Sequence, residues 1–103
     1  MNSFTHFGLY PEILQAISEL GFENPTPIQS KTIPHLISTD QDLIASAQTG
    51  TGKTAAFGLP SIHLTNIDDK STQTLVLCPT RELCVQIAKD LGDYSKYMKG
   101  INI

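Results

Sequence analysis

The chain has 103 residues, enough for one small domain and too few for two. Apolar residues make up 40% and charged residues 17%, the balance of an ordinary globular chain, and no apolar run approaches the roughly 18 residues of a membrane span. A formal charge of −3 argues against a protein that grips nucleic acid by diffuse positive charge, while leaving room for a few local phosphate contacts.

The opening stretch MNSFTHFGLY carries no basic segment followed by an apolar block, so no secretory signal is visible and the expected compartment is cytoplasmic. Leu9, Ile13, Ile17 and Leu20 fall at helical spacing. Pro11 suits the first turn of that helix, and Gly21 the cap after its end. A second helix is predicted from Pro27, with Thr26 as its N-cap and Ile28, Ile33, Leu36 and Ile37 on its inner face. Pro34 should bend or divide it. After the polar STDQD, the short apolar run DLIASA at 42–47 reads as a buried strand that delivers the chain to a glycine-rich loop.

A helix is predicted to start at Lys53, with Gly58 and Pro60 leaving its middle open to question. TNIDDKSTQ reads as a solvated loop, TLVLC at 74–78 as a second strand, and RELCVQIAKDLGDYSKYM as the longest helix. In that helix Leu83, Ile87 and Leu91 share a face, with Val85 and Ala88 beside it, and Gly100 closes the segment. INI at 101–103 could begin a third strand. Strand, glycine loop, helix, strand, helix is the α/β alternation that makes a parallel sheet flanked by helices. Cys78 and Cys84 fit no metal spacing and read as small hydrophobes, and His6, His35 and His63 are too scattered for a triad.

The loop AQTGTGKT, 47–54, lies between the first strand and the helix, the context in which a phosphate-binding loop works. Polyphosphate needs inward-pointing backbone N–H groups with no Cβ in the way, which Gly50 and Gly52 allow. The helix start at Lys53 and Thr54 adds unpaired N–H groups and partial positive charge. Lys53 can reach the β- and γ-phosphates, and the Thr54 hydroxyl can bind Mg²⁺. The general pattern has glycine where this chain has Ala47. Upstream, GFENPTPIQ at 21–29 presents Gln29, whose planar amide matches the N6 and N7 edge of adenine and rejects guanine, and Phe22, which could stack on a base. On spacing alone, the commoner roles are core aromatic for Phe22 and helix-surface residue for Gln29.

Taken together, these stretches resemble the amino-terminal part of a DEAD-box ATP-dependent RNA helicase. GFENPTPIQ resembles the Q motif, and Phe4 stands seventeen residues before Gly21, where the family carries an isolated aromatic. AQTGTGKT resembles motif I, in which the first position is alanine, and PTRELCVQ at 79–86 resembles motif Ia with Cys84 in place of alanine. The resemblance implies an α/β fold, a partial RecA-like P-loop domain with parallel strands flanked by helices. It implies that Phe4, Phe22, Gln29, Ala47, Gln48, Thr49, Gly50, Thr51, Gly52, Lys53 and Thr54 form the ATP site, with Lys53 and Thr54 catalytic and Thr54 on Mg²⁺. It also implies that Pro79, Thr80, Arg81 and Glu82 meet the sugar–phosphate backbone of an RNA strand.

One departure is Asp40-Gln41-Asp42, where the family has a turn beginning with glycine. A larger one is that neither D-E-A-D nor S-A-T occurs in the 103 residues. Ile67-Asp68-Asp69 follows Thr65 and Asn66 in a polar loop, not a buried strand. The expectation is therefore the first part of the first helicase domain, without the second RecA-like domain, marginally stable and unable to hydrolyse ATP by itself. Two other readings stand beside it, a superfamily-two DNA helicase and a non-catalytic nucleotide- or RNA-binding module.

Overall fold

The computed structural model describes residues 3–47 and 52–103, and in them four α-helices follow a short 3-10 helix, Phe4–Phe7. The helices are α1 Pro11–Glu19, α2 Pro27–Ser38, α3 Lys53–Leu64 and α4 Arg81–Tyr94.

In α1, Pro11 opens the first turn and Ile13, Ala16 and Ile17 are buried, the i, i+3, i+4 stripe of an amphipathic helix. The helix ends in a Schellman motif. Gly21 takes a φ of +89°, its N–H donates to the Ser18 carbonyl at 3.0 Å, and the Phe22 N–H donates to the Ile17 carbonyl at 3.0 Å. Such a motif brings the residue after the glycine back toward the helix, and Phe22 accordingly packs against the core.

Helix α2 begins as the sequence predicts, at Pro27 behind Thr26. It is not divided at Pro34 but continues to Ser38. Proline removes the donor for the carbonyl four residues earlier, which here belongs to exposed Ser30, where water can serve. Helix α3 likewise runs through Gly58 and Pro60. Pro60 frees the carbonyl of buried Ala56, and the Thr32 hydroxyl of α2 reaches it at 3.2 Å, its one hydrogen shared with the Ile28 carbonyl at 2.8 Å. A proline in one helix is thus answered by a threonine in the next. At Gly58 a Cβ would lie 2.7 Å from the Leu91 side chain, so the glycine lets α3 approach α4 closely.

Helix α4 is shorter than predicted, ending at Tyr94 and not near Gly100. Its inner face is Ile87, Leu91 and Tyr94, whereas Val85 is 64% exposed. The core gathers Phe4, Leu9, Ile13, Ile17, Ile33, Ala55, Leu59, Ile62 and Tyr94, so all four helices and the 3-10 turn meet in one cluster or against it.

Neither apolar segment expected as a strand forms a ladder, nor does 101–103; among the described residues there is no β-strand. Ile44 is 97% exposed, Leu75 79% and Leu77 85%. Val76 and Cys78 are half-buried between them, so the second segment keeps the period-two alternation of a strand. The physical reason is the partner. A helix satisfies its backbone within one segment, but a strand needs a neighbour for every N–H and C=O.

Candidate nucleotide site

The site is built on the starts of α2 and α3. Thr26 and Gln29 form a capping box: the Thr26 hydroxyl accepts the Gln29 N–H at 3.4 Å, and Gln29 Oε1 accepts the Thr26 N–H at 2.9 Å. The other end of the same amide points across to α3, where Gln29 Nε2 donates to the Gly52 carbonyl at 3.2 Å. Gln29 is only 4% exposed, so this amide is a buried tie between the two helix starts. Each of its polar atoms still has capacity, one lone pair on Oε1 and one N–H on Nε2.

Gly52 is the N-cap of α3, with φ +82° and ψ 28°. A Cβ there would lie 2.3 Å from Gln29 Nε2, so both the left-handed backbone and the space demand glycine. The Gly52 carbonyl also accepts the Ala56 N–H at 3.1 Å, closing the first turn of α3. Having no side chain, Gly52 cannot cap this end, and the first-turn amides of a helix have no acceptor within it. Lys53 is exposed at the first helical position and Thr54 is half-buried at the second. The result is a helix N-terminus with amides and one cation available to an anion.

These groups border a cleft of about 1050 Å³, whose walls include Phe22, Gln29, Ala47, Gly52, Lys53 and Thr54. That is just above the usual range of ligand pockets, about 300–1,000 Å³. Gln48, Thr49, Gly50 and Thr51 lie outside the described residues. Phe4 does not line the cleft. It is 4% exposed, with its ring centroid 5.7 Å from that of Phe22, and it can act on the site only by supporting Phe22. Tyr94 of α4 supports the same ring from another side, centroid to centroid 5.9 Å. Phe22 is thus a half-buried core aromatic that also borders the cleft.

Pro79, Thr80, Arg81 and Glu82 are exposed and lie outside this cleft. Thr80 caps α4, its hydroxyl accepting the Leu83 N–H at 3.2 Å, and Arg81 and Glu82 form the first turn. Leu83 and Ile87 of the same helix reach the cleft wall, so α4 links the two regions.

For Mg²⁺ the described residues offer the Thr54 hydroxyl, and no group of three or more His, Cys, Asp or Glu could hold a metal among them. Sequence reasoning missed the two-way bond between Thr26 and Gln29, although T-x-x-Q ahead of an apolar run was its signal. It also missed Tyr94 as the support of Phe22, and nothing in linear spacing marks that pairing.

Comparison with known proteins fits this geometry. Residues 26–103 match the DEAD/DEAH box helicase family. The ATP-dependent RNA helicase DeaD of Buchnera aphidicola is 50% identical over 102 residues, and that of Escherichia coli K12 is 48% identical over 101. These alignments cover 99% and 98% of this chain but 17% and 16% of the relatives, so the chain spans about a sixth of their length. Among solved structures, Saccharomyces cerevisiae Dbp5 bound to RNA and ADP BeF3 superimposes with a TM-score of 0.92 at 38% identity, covering 96% of this chain and 26% of that one. A DEAD box protein from Methanococcus jannaschii gives a TM-score of 0.87 at 39% identity, covering 91% and 26%. The family match over residues 26–103, three quarters of the chain, makes the chain a member of the DEAD/DEAH box helicase family.

Proposed function

We propose that the chain is the ATP- and RNA-binding amino-terminal portion of the first RecA-like domain of an ATP-dependent RNA helicase, with the Q motif at 21–29, motif I at 47–54 and motif Ia at 79–86. The observation that carries this reading is the single bond from Gln29 Nε2 to the Gly52 carbonyl. It joins the residue suited to reading a base to the glycine that opens the phosphate-binding helix.

In this reading the remaining lone pair and N–H of the Gln29 amide meet N6 and N7 of adenine, while Phe22 stacks on the ring, held from behind by Phe4 and Tyr94. Ala47, Gln48, Thr49, Gly50, Thr51 and Gly52 surround the phosphates. Lys53 and the first-turn amides of α3 neutralise their charge, and the Thr54 hydroxyl would hold Mg²⁺, which would supply further positive charge against the phosphates. Because Gln29 touches both ends of the site, adenine binding at the base and phosphate binding at the loop are mechanically joined. Pro79, Thr80, Arg81 and Glu82 meet the backbone of an RNA strand at the start of α4, where a cation and helix amides can face a phosphate. The similarity to ATP-dependent RNA helicases favours RNA over DNA as the polymer.

The segments 42–47 and 74–78 are in this proposal the two strands of a parallel sheet, completed by the rest of the helicase domain. The carboxylates that hold Mg²⁺ and position water would come from a D-E-A-D sequence, which these 103 residues lack, so the chain alone binds nucleotide without hydrolysing it. The location proposed is cytoplasmic; among the described residues no helix is long and apolar enough to cross a membrane.

The test is equilibrium binding of labelled ATP and GTP in Mg²⁺ to the chain and to Gln29→Ala and Lys53→Ala variants. ATP should bind in preference to GTP. Gln29→Ala should lose the preference, and Lys53→Ala should weaken both nucleotides. Equal affinity of the parent chain for the two nucleotides would overturn the assignment of Gln29 as the base reader.

A further inference from the structure

Two thiols flank the start of α4. Cys78 closes the second apolar segment and Cys84 lies one turn into the helix, with Pro79–Leu83 between them. Both are free, Cys84 exposed and Cys78 half-buried. They border the same hollow, of about 420 Å³. The Thr80 hydroxyl takes the Leu83 N–H at 3.2 Å and the Thr80 carbonyl takes the Cys84 N–H at 3.1 Å, which fixes Cys84 in the first turn of α4, beside the hollow that Cys78 also borders. Burial, followed by hydrogen bonding to the neighbouring Cys84, pushes the Cys78 thiol above the ordinary range.

We infer that Cys78 and Cys84 form a thiol–disulfide modification site that takes a low-molecular-weight disulfide as its oxidant and closes into an intramolecular bond across residues 79–83. The exposed Cys84 reacts first. Its thiolate attacks one sulfur of RSSR, the S–S bond breaks, and one RS⁻ leaves, giving a mixed disulfide on Cys84. Cys78 then loses its proton to solvent and attacks the Cys84 sulfur, expelling the second RS⁻. Both leaving thiolates are protonated to RSH. The chain loses two hydrogens and two electrons, and RSSR is reduced to two RSH. Because Cys78 holds its proton more tightly than an ordinary thiol, the second step quickens as pH rises. The new bond would clamp Pro79, Thr80, Arg81 and Glu82 between two sulfurs. Its effect on RNA rests on the function proposed above, but the thiol chemistry does not.

The experiment exposes the full chain to oxidised and reduced glutathione in graded ratios, in buffer and in unfolding urea, and reads intact mass and alkylatable thiols. In buffer the chain should end as a monomer lacking two hydrogens and carrying no adduct. The closure equilibrium should favour the native chain over the unfolded one by about tenfold or more, which is about 30 mV for this two-electron couple. Cys78→Ser should stop at the mixed disulfide on Cys84, and Cys84→Ser should form its adduct far more slowly. Equal closure in buffer and urea, a lasting mixed disulfide on the parent chain, or disulfide-linked dimers would each overturn the proposal. Binding of labelled single-stranded RNA to the same samples is a separate readout. A lower affinity after oxidation, absent in Cys84→Ser, is expected, whereas no RNA binding by either form would sink the RNA reading and leave the thiol result standing.

Discussion

The two apolar segments 42–47 and 74–78 are richer in apolar residues than the pair α2–α3, yet the two regions end in opposite states. Ile33 and Leu59 are fully buried, while Ile44, Leu75 and Leu77 stand almost bare. Hydrophobicity therefore does not decide burial in this chain; the availability of backbone partners does. Each helix closes its own hydrogen bonds and needs a neighbour only for its apolar face. Where α2 and α3 leave a polar group over, a specific side chain answers it: Gln29 for Gly52, Thr32 for Ala56. The two apolar segments have no such closure, because a strand's polar groups are satisfied only by another strand.

The contrast breaks or holds on how substitutions on its two sides differ. Ile33→Ala should cost about 2–5 kcal/mol of unfolding free energy, whereas Leu77→Ser should stay within about 0.5 kcal/mol, both read from urea denaturation. Comparable losses at the two sites would mean that 74–78 is packed in solution and the contrast is wrong. Gly52→Val comes next. A β-branched residue at φ +82° is strained, and the Gln29 amide must leave the Gly52 carbonyl, for a combined loss of about 2–4 kcal/mol.

The Thr32–Ala56 bond sharpens the comparison through a cycle. Thr32→Val leaves the buried Ala56 carbonyl without its donor, a cost of about 1–3 kcal/mol. Pro60→Ala restores an N–H that can bond that carbonyl within α3, so Thr32→Val should cost clearly less in the Pro60→Ala background. Identical costs in the two backgrounds would show that the threonine does not serve the proline's orphan.

The smallest expected effect is a pH dependence at the far end of α3. His63 Nδ1 accepts the Tyr10 N–H at 3.3 Å, and its ring stacks on that of Tyr10 with centroids 4.1 Å apart. Burial holds the imidazole below its ordinary value of 6.5. The unfolded chain then binds more protons than the folded chain in the window just below 6.5, so stability rises with pH through that window. This contribution is fully present above about 6.5 and is lost as pH falls from there through the lower folded value. His63→Gln should flatten that slope; an unchanged slope would place its origin elsewhere.

Much of the site was legible along the chain. Pro11 and Gly21 bracket α1, Thr26 and Pro27 open α2, and Gly52 with Lys53 opens α3, all as local chemistry requires. Helix caps are read from adjacent residues, so a linear pattern carries them. The continuity of α2 and α3 through Pro34 and Pro60 was not legible, because what tolerates each proline is the surroundings of a carbonyl one turn away, solvent in one case and Thr32 in the other. Nor was the end of α4, where Tyr94 turns inward against Gly58 and Phe22 and the chain leaves the helix six residues before Gly100.

The sequence by itself determined where each helix begins and the family to which the chain belongs. Those depend on neighbours within a few positions, fixed by covalent connection. Tertiary structure alone decided that one glutamine amide would serve its own helix cap and the Gly52 carbonyl together, and that Phe4 would stand behind Phe22, away from the cleft. It also decided that the two most strand-like segments would go unpaired. Each of these outcomes depends on what another part of the chain brings within about 3–6 Å, a distance that side-chain hydrogen bonds and ring contacts require and that linear spacing does not encode.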